Sequence, residues 1–206
     1  MPFNIDTFKT NIGSGGYLTT NKFNVIVTPP LALMNNLVNG SGLVETSQAM
    51  SDLIRFRAEA IRVPGVTLLT ADVNRYGAGP TQKQPYSAQF NDNGITLLSD
   101  GYGDIWQFWH NWLKFIFNFT GTSDTTVDLP NQIPTYTSQY KSDFSTTIQI
   151  IVYDQTGNAI QTINMFEAFP TSIRDVPLNW ADSGNLIRLD IGLAFTDYTI
   201  DYSSSL

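Results

Sequence analysis

At 206 residues and 42% apolar content, the chain can bury one core. With no cysteine and a single histidine (His110), it lacks the donors for a disulfide framework, a thiolate metal site or a histidine-based zinc centre. A net charge of −7 argues against gripping nucleic acid, which depends on neutralising phosphates. No apolar run approaches a membrane span and the polar start MPFNIDTFKTN does not read as a secretory leader, so a soluble protein made in a cytoplasm is expected.

The charge is unevenly spread. Residues 1–54 sum to −1, residues 55–84 to +3 (Arg55, Arg57, Arg62, Arg75 and Lys83 against Glu59 and Asp72), and residues 85–206 to −9. A solvated acidic surface accounts for this simply. A sharper reading is that the basic segment docks on the acidic face of a second copy.

One domain over residues 1–206 is expected, with a flexible arm at 1–20 and insertions at 29–54 and 120–143. Lys22–Thr28 alternates through Phe23, Val25 and Val27 and predicts a strand that Pro29-Pro30 stops. Residues 31–54 predict one or two short helices about the NGSG turn. Arg55–Val63 alternates and predicts a strand ending at the Pro64-Gly65 turn. Val66–Tyr76 reads as extended, GAGPTQKQP (residues 77–85) as a loop, and Tyr86–Phe90 as the next strand. The 64–85 segment is long, polar and basic, as binding loops often are.

Ser99–Phe119 carries the one unambiguous helical period. Ile105, Phe108, Trp109, Trp112, Phe115, Ile116 and Phe119 fall on one stripe, and three of the four tryptophans lie in this segment. Asp100 and Asp104 stand where carboxylates cap a helix start. Residues 120–143 predict a surface loop. Phe144–Tyr153 and Ala159–Phe169 predict two strands joined at DQTGN, with Gly157 free to take positive φ. Pro170–Ala181 reads as a connection. Leu186–Phe195 predicts a half-buried strand with Ile187, Leu189, Ile191, Leu193 and Phe195 inward. The expected fold class is therefore mainly β with one prominent α-helix, whose core residues are Ile105, Phe108, Trp109, Trp112 and Ile116.

No G-x-S-x-G, Walker A, G-x-G-x-x-G or H-E-x-x-H pattern is present. His110 lies off the apolar stripe, and Asp124 and Asp128 lack the ligand pattern of a calcium loop. An enzyme has no positive support, and neither a cofactor nor a metal is expected.

The order of KFNVIV, RFRAEAIRVPG, VNRYGAGPTQKQPYSAQFNDN, the Trp112 helix and INMFEAFPTSIRDVPLNWADSGNLIRLDIGLAFTDY resembles the tail tube proteins of contractile-tailed phages of the T-even type. The resemblance covers about two-thirds of the chain and rests on the order of short phrases. It implies an antiparallel β-sandwich or small barrel with a flanking helix. Six-membered rings of subunits would stack into a tube, with Asp72, Asn74, Arg75, Tyr76, Gln82 and Lys83 of the long loop reaching the next ring. The implied partners are further copies of the chain, a tail sheath protein, a tape-measure protein, baseplate tube proteins, and phage DNA passing through an acidic, non-adhesive lumen without specific binding. No membrane is implied, and the implied location is the virion. A baseplate tube-initiator shares this core. A β-sandwich ligand-binding or adhesin module is the reading from another class, against which the inward tryptophan stripe argues.

Overall fold

Alternation of apolar and polar side chains builds most of this protein, and one aromatic helix closes it. The computed structural model describes residues 18–40, 47–74, 77, 79–119, 137–180 and 184–202. The elements in chain order are β1 (Phe23–Val27), α1 (Leu31–Gly40), α2 (Ser47–Arg57), β2 (Ala58–Ile61), β3 (Val66–Val73), β4 (Gln82–Phe90), β5 (Asn93–Leu98), α3 (Asp104–Ile116), α4 (Lys141–Phe144), β6 (Thr146–Tyr153), β7 (Ala159–Ile173), β8 (Arg188–Ala194) and β9 (Asp197–Tyr202). All the pairings are antiparallel. The main sheet runs β1-β6-β7-β8-β5-β2, with β9 on the free side of β7, and does not close into a barrel. The small barrel allowed by the sequence is thus corrected to an open arrangement.

β7 belongs to both halves of this sheet. Its first part pairs with β9, up to Phe166 opposite Asp197, and with β6, as far as Ala168 opposite Thr146; its last part pairs with β8, from Phe169 opposite Ala194. The handover falls at Glu167, whose φ of 52° lies in the left-handed region. Here the register against β6 slips, and the buried positions change from Ile163 and Met165 to Ala168 and Pro170. An extra residue in one strand has this effect: it turns the strand and moves its side chains to the other face. Lys141 Nζ (2.5 Å) and Thr196 Oγ1 (2.7 Å) donate to the Glu167 carboxylate, and the Thr196 N–H donates to the Phe166 carbonyl. The Lys141 and Thr196 bonds hold the Glu167 carboxyl below the usual carboxylate range.

The core lies between the inner sheet face and the helices. Val25, Val27, Ile148, Ile150, Ile163, Met165, Leu189, Ile191, Leu193, Ile95 and Leu97 supply the sheet side. Leu33, Met50, Ile54, Ile105, Phe108, Trp109 and Trp112 supply the helical side. Trp109 and Trp112 stack at 5.3 Å, and Phe108 meets both edge-on. Trp112 Nε1 donates to the Phe144 carbonyl at 2.9 Å, tying α4 to α3. Asp100 caps α3 from outside the helix: its carboxylate accepts the N–H groups of Tyr102, Asp104 and Ile105, each at 3.2 Å. Burial opposes the charge on Asp100, but these backbone donors outweigh it and lower its pKa.

Several boundaries differ from the sequence reading. The helix spans Asp104–Ile116 rather than reaching Phe119, which is half exposed. Residues 55–57 end α2 instead of opening a strand; Arg55 and Arg57 in its last turn suit the negative end of the dipole. β4 begins at Gln82, so the 77–85 loop is shorter than expected. β7 continues through Pro170, which pairs with Leu193 beside a register shift, a place where a strand tolerates proline. Two strands were not anticipated: β5, with Ile95 and Leu97 buried, and β9, which pairs along β7. The expected arm falls almost wholly outside the described residues, as does the greater part of the 120–143 insertion; its end forms α4.

Two substitutions test this core. Trp112→Ala removes a side chain with no exposed surface and its hydrogen bond, and is expected to cost about 3–5 kcal/mol by chemical denaturation. Asp100→Asn keeps an acceptor and removes the charge, and is expected to cost about 0.3–1 kcal/mol at neutral pH. Because the folded pKa of Asp100 is depressed, this contribution is full above the ordinary aspartate range and fades as pH falls through the folded value. Urea midpoints of the two proteins should therefore converge in acid; a constant gap would show that the charge of Asp100 is not what caps the helix.

Candidate assembly surface

β3 and β4 form a hairpin apart from the main sheet. Val66 pairs with Phe90, Leu68 with Ala88 and Leu69 with Ser87; beyond a bulge, Thr70 pairs with Pro85, Ala71 with Gln84, Asp72 with Lys83 and Val73 with Gln82. At its root the Asn91 N–H donates to the Gly65 carbonyl, and the Phe90 ring lies 5.8 Å from Phe195 and 5.4 Å from Tyr198. Beyond that root both faces of the hairpin meet solvent. Val66, Leu68 and Tyr86 are 51%, 62% and 68% exposed. A two-stranded hairpin without a third strand or a covering helix is marginal by itself, and apolar groups left this open on an ordered arm mark a contact surface.

Of the loop residues singled out from the sequence, Asp72 and Lys83 face each other across the hairpin, and Gln82 opens β4 opposite Val73. Asn74 follows β3 and is exposed. Arg75 and Tyr76 lie outside the described residues. The helical set is elsewhere: Ile105, Phe108, Trp109 and Trp112 are fully buried and Ile116 is partly so. The structure therefore separates an exposed arm from a core helix and brings no residue of one to the other.

The half-sheet β7-β8-β5-β2 turns a polar face outward. Register puts Ala60, Thr96 and Asp190 on one face with Gly94, Gly192 and Ser172. Thr96 Oγ1 donates to Asp190 at 2.7 Å, and Arg188 clasps Glu59 through Nε (2.6 Å) and Nη2 (3.0 Å). That clasp lowers the Glu59 pKa and raises that of Arg188. A Cβ at Gly192 would stand 2.5 Å from Ser172 Oγ and 3.1 Å from Thr171 Oγ1, so glycine leaves room there for these two hydroxyls.

Sequence reasoning missed a third surface. Between β7 and β8 the chain exposes Leu178 (76%), Leu186 (65%) and all of Trp180. The signal was present, since Pro177-Leu178-Asn179-Trp180 is an apolar phrase inside a connection that needs none. His110 is exposed and meets Phe119 edge-on at 5.6 Å. Among the described residues no group of three His, Cys, Asp or Glu could hold a metal ion, and no helix is long and apolar enough to cross a membrane.

An exposed two-stranded arm, an open sheet and apolar groups at the surface describe a subunit whose contacts are with other molecules. The sequence model of the family described as phage tail tube protein matches residues 18–201. This chain belongs to the phage tail tube protein family. Members of the family are structural tail tube proteins. None of the curated proteins matches the chain. Among solved structures, this tube protein is similar to a chain in the sheath/tube terminator of an extracellular contractile injection system, PVC, in the extended state (TM-score 0.55, 15% identity, 92% of this chain and 99% of the other). A chain in the tube-terminating cap of the anti-feeding prophage gives a TM-score of 0.54 at 15% identity, over 98% of the tube protein and 100% of the other. A chain in the PVC sheath-tube complex, also extended, gives 0.51 at 16% identity, over 94% and 97%. These likenesses show that the tube protein shares its fold with chains of contractile assemblies.

Proposed function

We propose that this chain is the repeating subunit of a phage tail tube, forming six-membered rings that stack around a channel through which DNA leaves the virion. Family membership supplies the class of function. The observation that carries the finer reading is the β3–β4 hairpin, an ordered arm with both faces exposed on a chain whose core is complete without it. In the ring, the free edges β1, β2 and β9 are covered by neighbouring subunits, which removes the unpaired ladders an isolated subunit carries. The hairpin reaches along the tube axis to the next ring. Sheath, tape-measure protein and baseplate tube proteins are the partners of the assembled tube, and no reaction is assigned to it.

The outward face of β7-β8-β5-β2 is the best candidate for the channel wall. By register parity it carries Arg62, Arg174 and Arg188 against Glu59, Asp92 and Asp190. Such a wall is balanced rather than acidic, and balance is enough for DNA to slide, since retention needs an excess of bases to neutralise phosphates.

Replacing residues 74–81 by Asn-Gly, which can close the Val73–Gln82 pair as a two-residue turn, is expected to leave the monomer folded by circular dichroism and to abolish stacked tubes in electron micrographs. Arg75→Glu and raised salt should each shorten the tubes; exposed charge pairs contribute about 0–1 kcal/mol each, but recur at every subunit. Full-length tubes from the shortened hairpin would remove it as the stacking element. Rings that never grow from the unaltered chain would favour a baseplate initiator.

Assembled tubes are expected to retain no duplex DNA in a filter-binding assay at physiological salt. Tight, salt-sensitive retention would show that a basic face lines the channel.

A further inference from the structure

The strand registers fix where the exposed apolar groups stand. Leu98 of β5 lies opposite Arg188 of β8, and Leu97 opposite Ala58 of β2, at one end of the half-sheet. Asn93 lies opposite Leu193, and Ile95 opposite Ile61, toward the other. The hairpin leaves from Ile61 and returns at Asn93, so it occupies this second end. The connection bearing Leu178, Trp180 and Leu186 runs into Arg188, and the Ser99 N–H donates to the Ile187 carbonyl, so it occupies the first. Two exposed apolar surfaces therefore sit at opposite ends of the same strands, separated by about 20 Å of strand. Residues 62–90 carry Arg62, Arg75 and Lys83 against Asp72, a net +2, whereas residues 174–188 carry Arg174 and Arg188 against Asp175 and Asp182 and are neutral, so the two surfaces share apolar character and do not repel by charge.

We infer that the Leu178–Trp180–Leu186 surface is the acceptor for the β3–β4 hairpin of a second copy in the adjoining ring, with Val66, Leu68 and Tyr86 of the donor packing against the Trp180 indole; this rests on the tube reading above. A translation along the strand direction brings donor to acceptor without using either twice in one contact. Such a contact is heterologous, so it does not close on itself and repeats without limit along one axis. The donor hairpin gives Trp180 the apolar cover that its own chain does not. The polarity of stacking follows from the placement of hairpin and acceptor at opposite ends of the same strands.

The natural absence of cysteine makes a crosslinking test clean. Leu68→Cys and Leu178→Cys copies, mixed and oxidised under assembly conditions, are expected to form intermolecular disulfides that neither copy forms alone. Tyr140→Cys serves as the control: it is 82% exposed, and the Lys141 side chain beside it reaches Thr196 at the hairpin end. It is expected not to crosslink with Leu68→Cys. Trp180→Ala, at a fully exposed position, is expected to fold, to form rings, and to lose stacking. Normal tubes from Trp180→Ala together with no Leu68–Leu178 disulfide would overturn this acceptor while leaving the tube reading intact. An unaltered chain that forms neither rings nor tubes would overturn both.

Discussion

The structure depends on one strand serving two sets of neighbours. β7 holds β6 and β9 along its first part and β8 along its last, so the two halves of the sheet can share one core only if β7 turns between them. The turn lies at Glu167, a non-glycine residue in the left-handed region. Such a conformation costs on the order of 1–3 kcal/mol. Three charge-assisted or hydroxyl bonds among Lys141, Thr196 and Glu167 stand beside it and join α4, β7 and the start of β9. The same turn moves the buried set by one residue, which allows Ala168 to face the helices and lets β8 carry Leu189, Ile191 and Leu193 into the same core.

With that core closed by α3, the remaining features point outward. The hairpin, the Trp180 connection and the outer face of the β7-β8-β5-β2 half-sheet contribute little to the subunit's own packing. Each has the character of a contact: an arm without cover, an indole without cover, and a polar sheet face turned outward. A tube subunit needs a stable body and surfaces free to meet copies of itself, and here the two are carried by different residues.

The parts legible in the sequence were those set by local period. The 3–4 spacing of Ile105, Phe108, Trp109 and Trp112 marked α3, the alternation of Leu189, Ile191 and Leu193 marked β8, and DQTGN marked the β6–β7 turn. Asp100 was legible as a cap because the first N–H groups of a helix, here those of Asp104 and Ile105, need an acceptor. What was not legible depends on partners far along the chain. The continuation of β7 past Pro170 follows from its pairing with β8, and the helical state of Arg55–Arg57 from the burial of Met50 and Ile54. The hairpin residues were marked out by composition; the apolar phrase at Trp180 was visible too, but only its exposure separates a surface tryptophan from one that folds back into the core.

The isolation of the hairpin bears on how growth starts. A two-stranded arm held only at its root by Phe90 against Phe195 and Tyr198 opens locally at little free-energy cost. In the proposed contact, when two free subunits meet the donor must order its arm for a single weak interaction, so spontaneous initiation would be slow. A complete ring would present all its arms or acceptors at once, and each arriving subunit would be held at several points. Under the tube proposal, elongation from an existing end is thus favoured over new starts, and a pool of subunits would stay dispersed until a template fixes where the polymer begins.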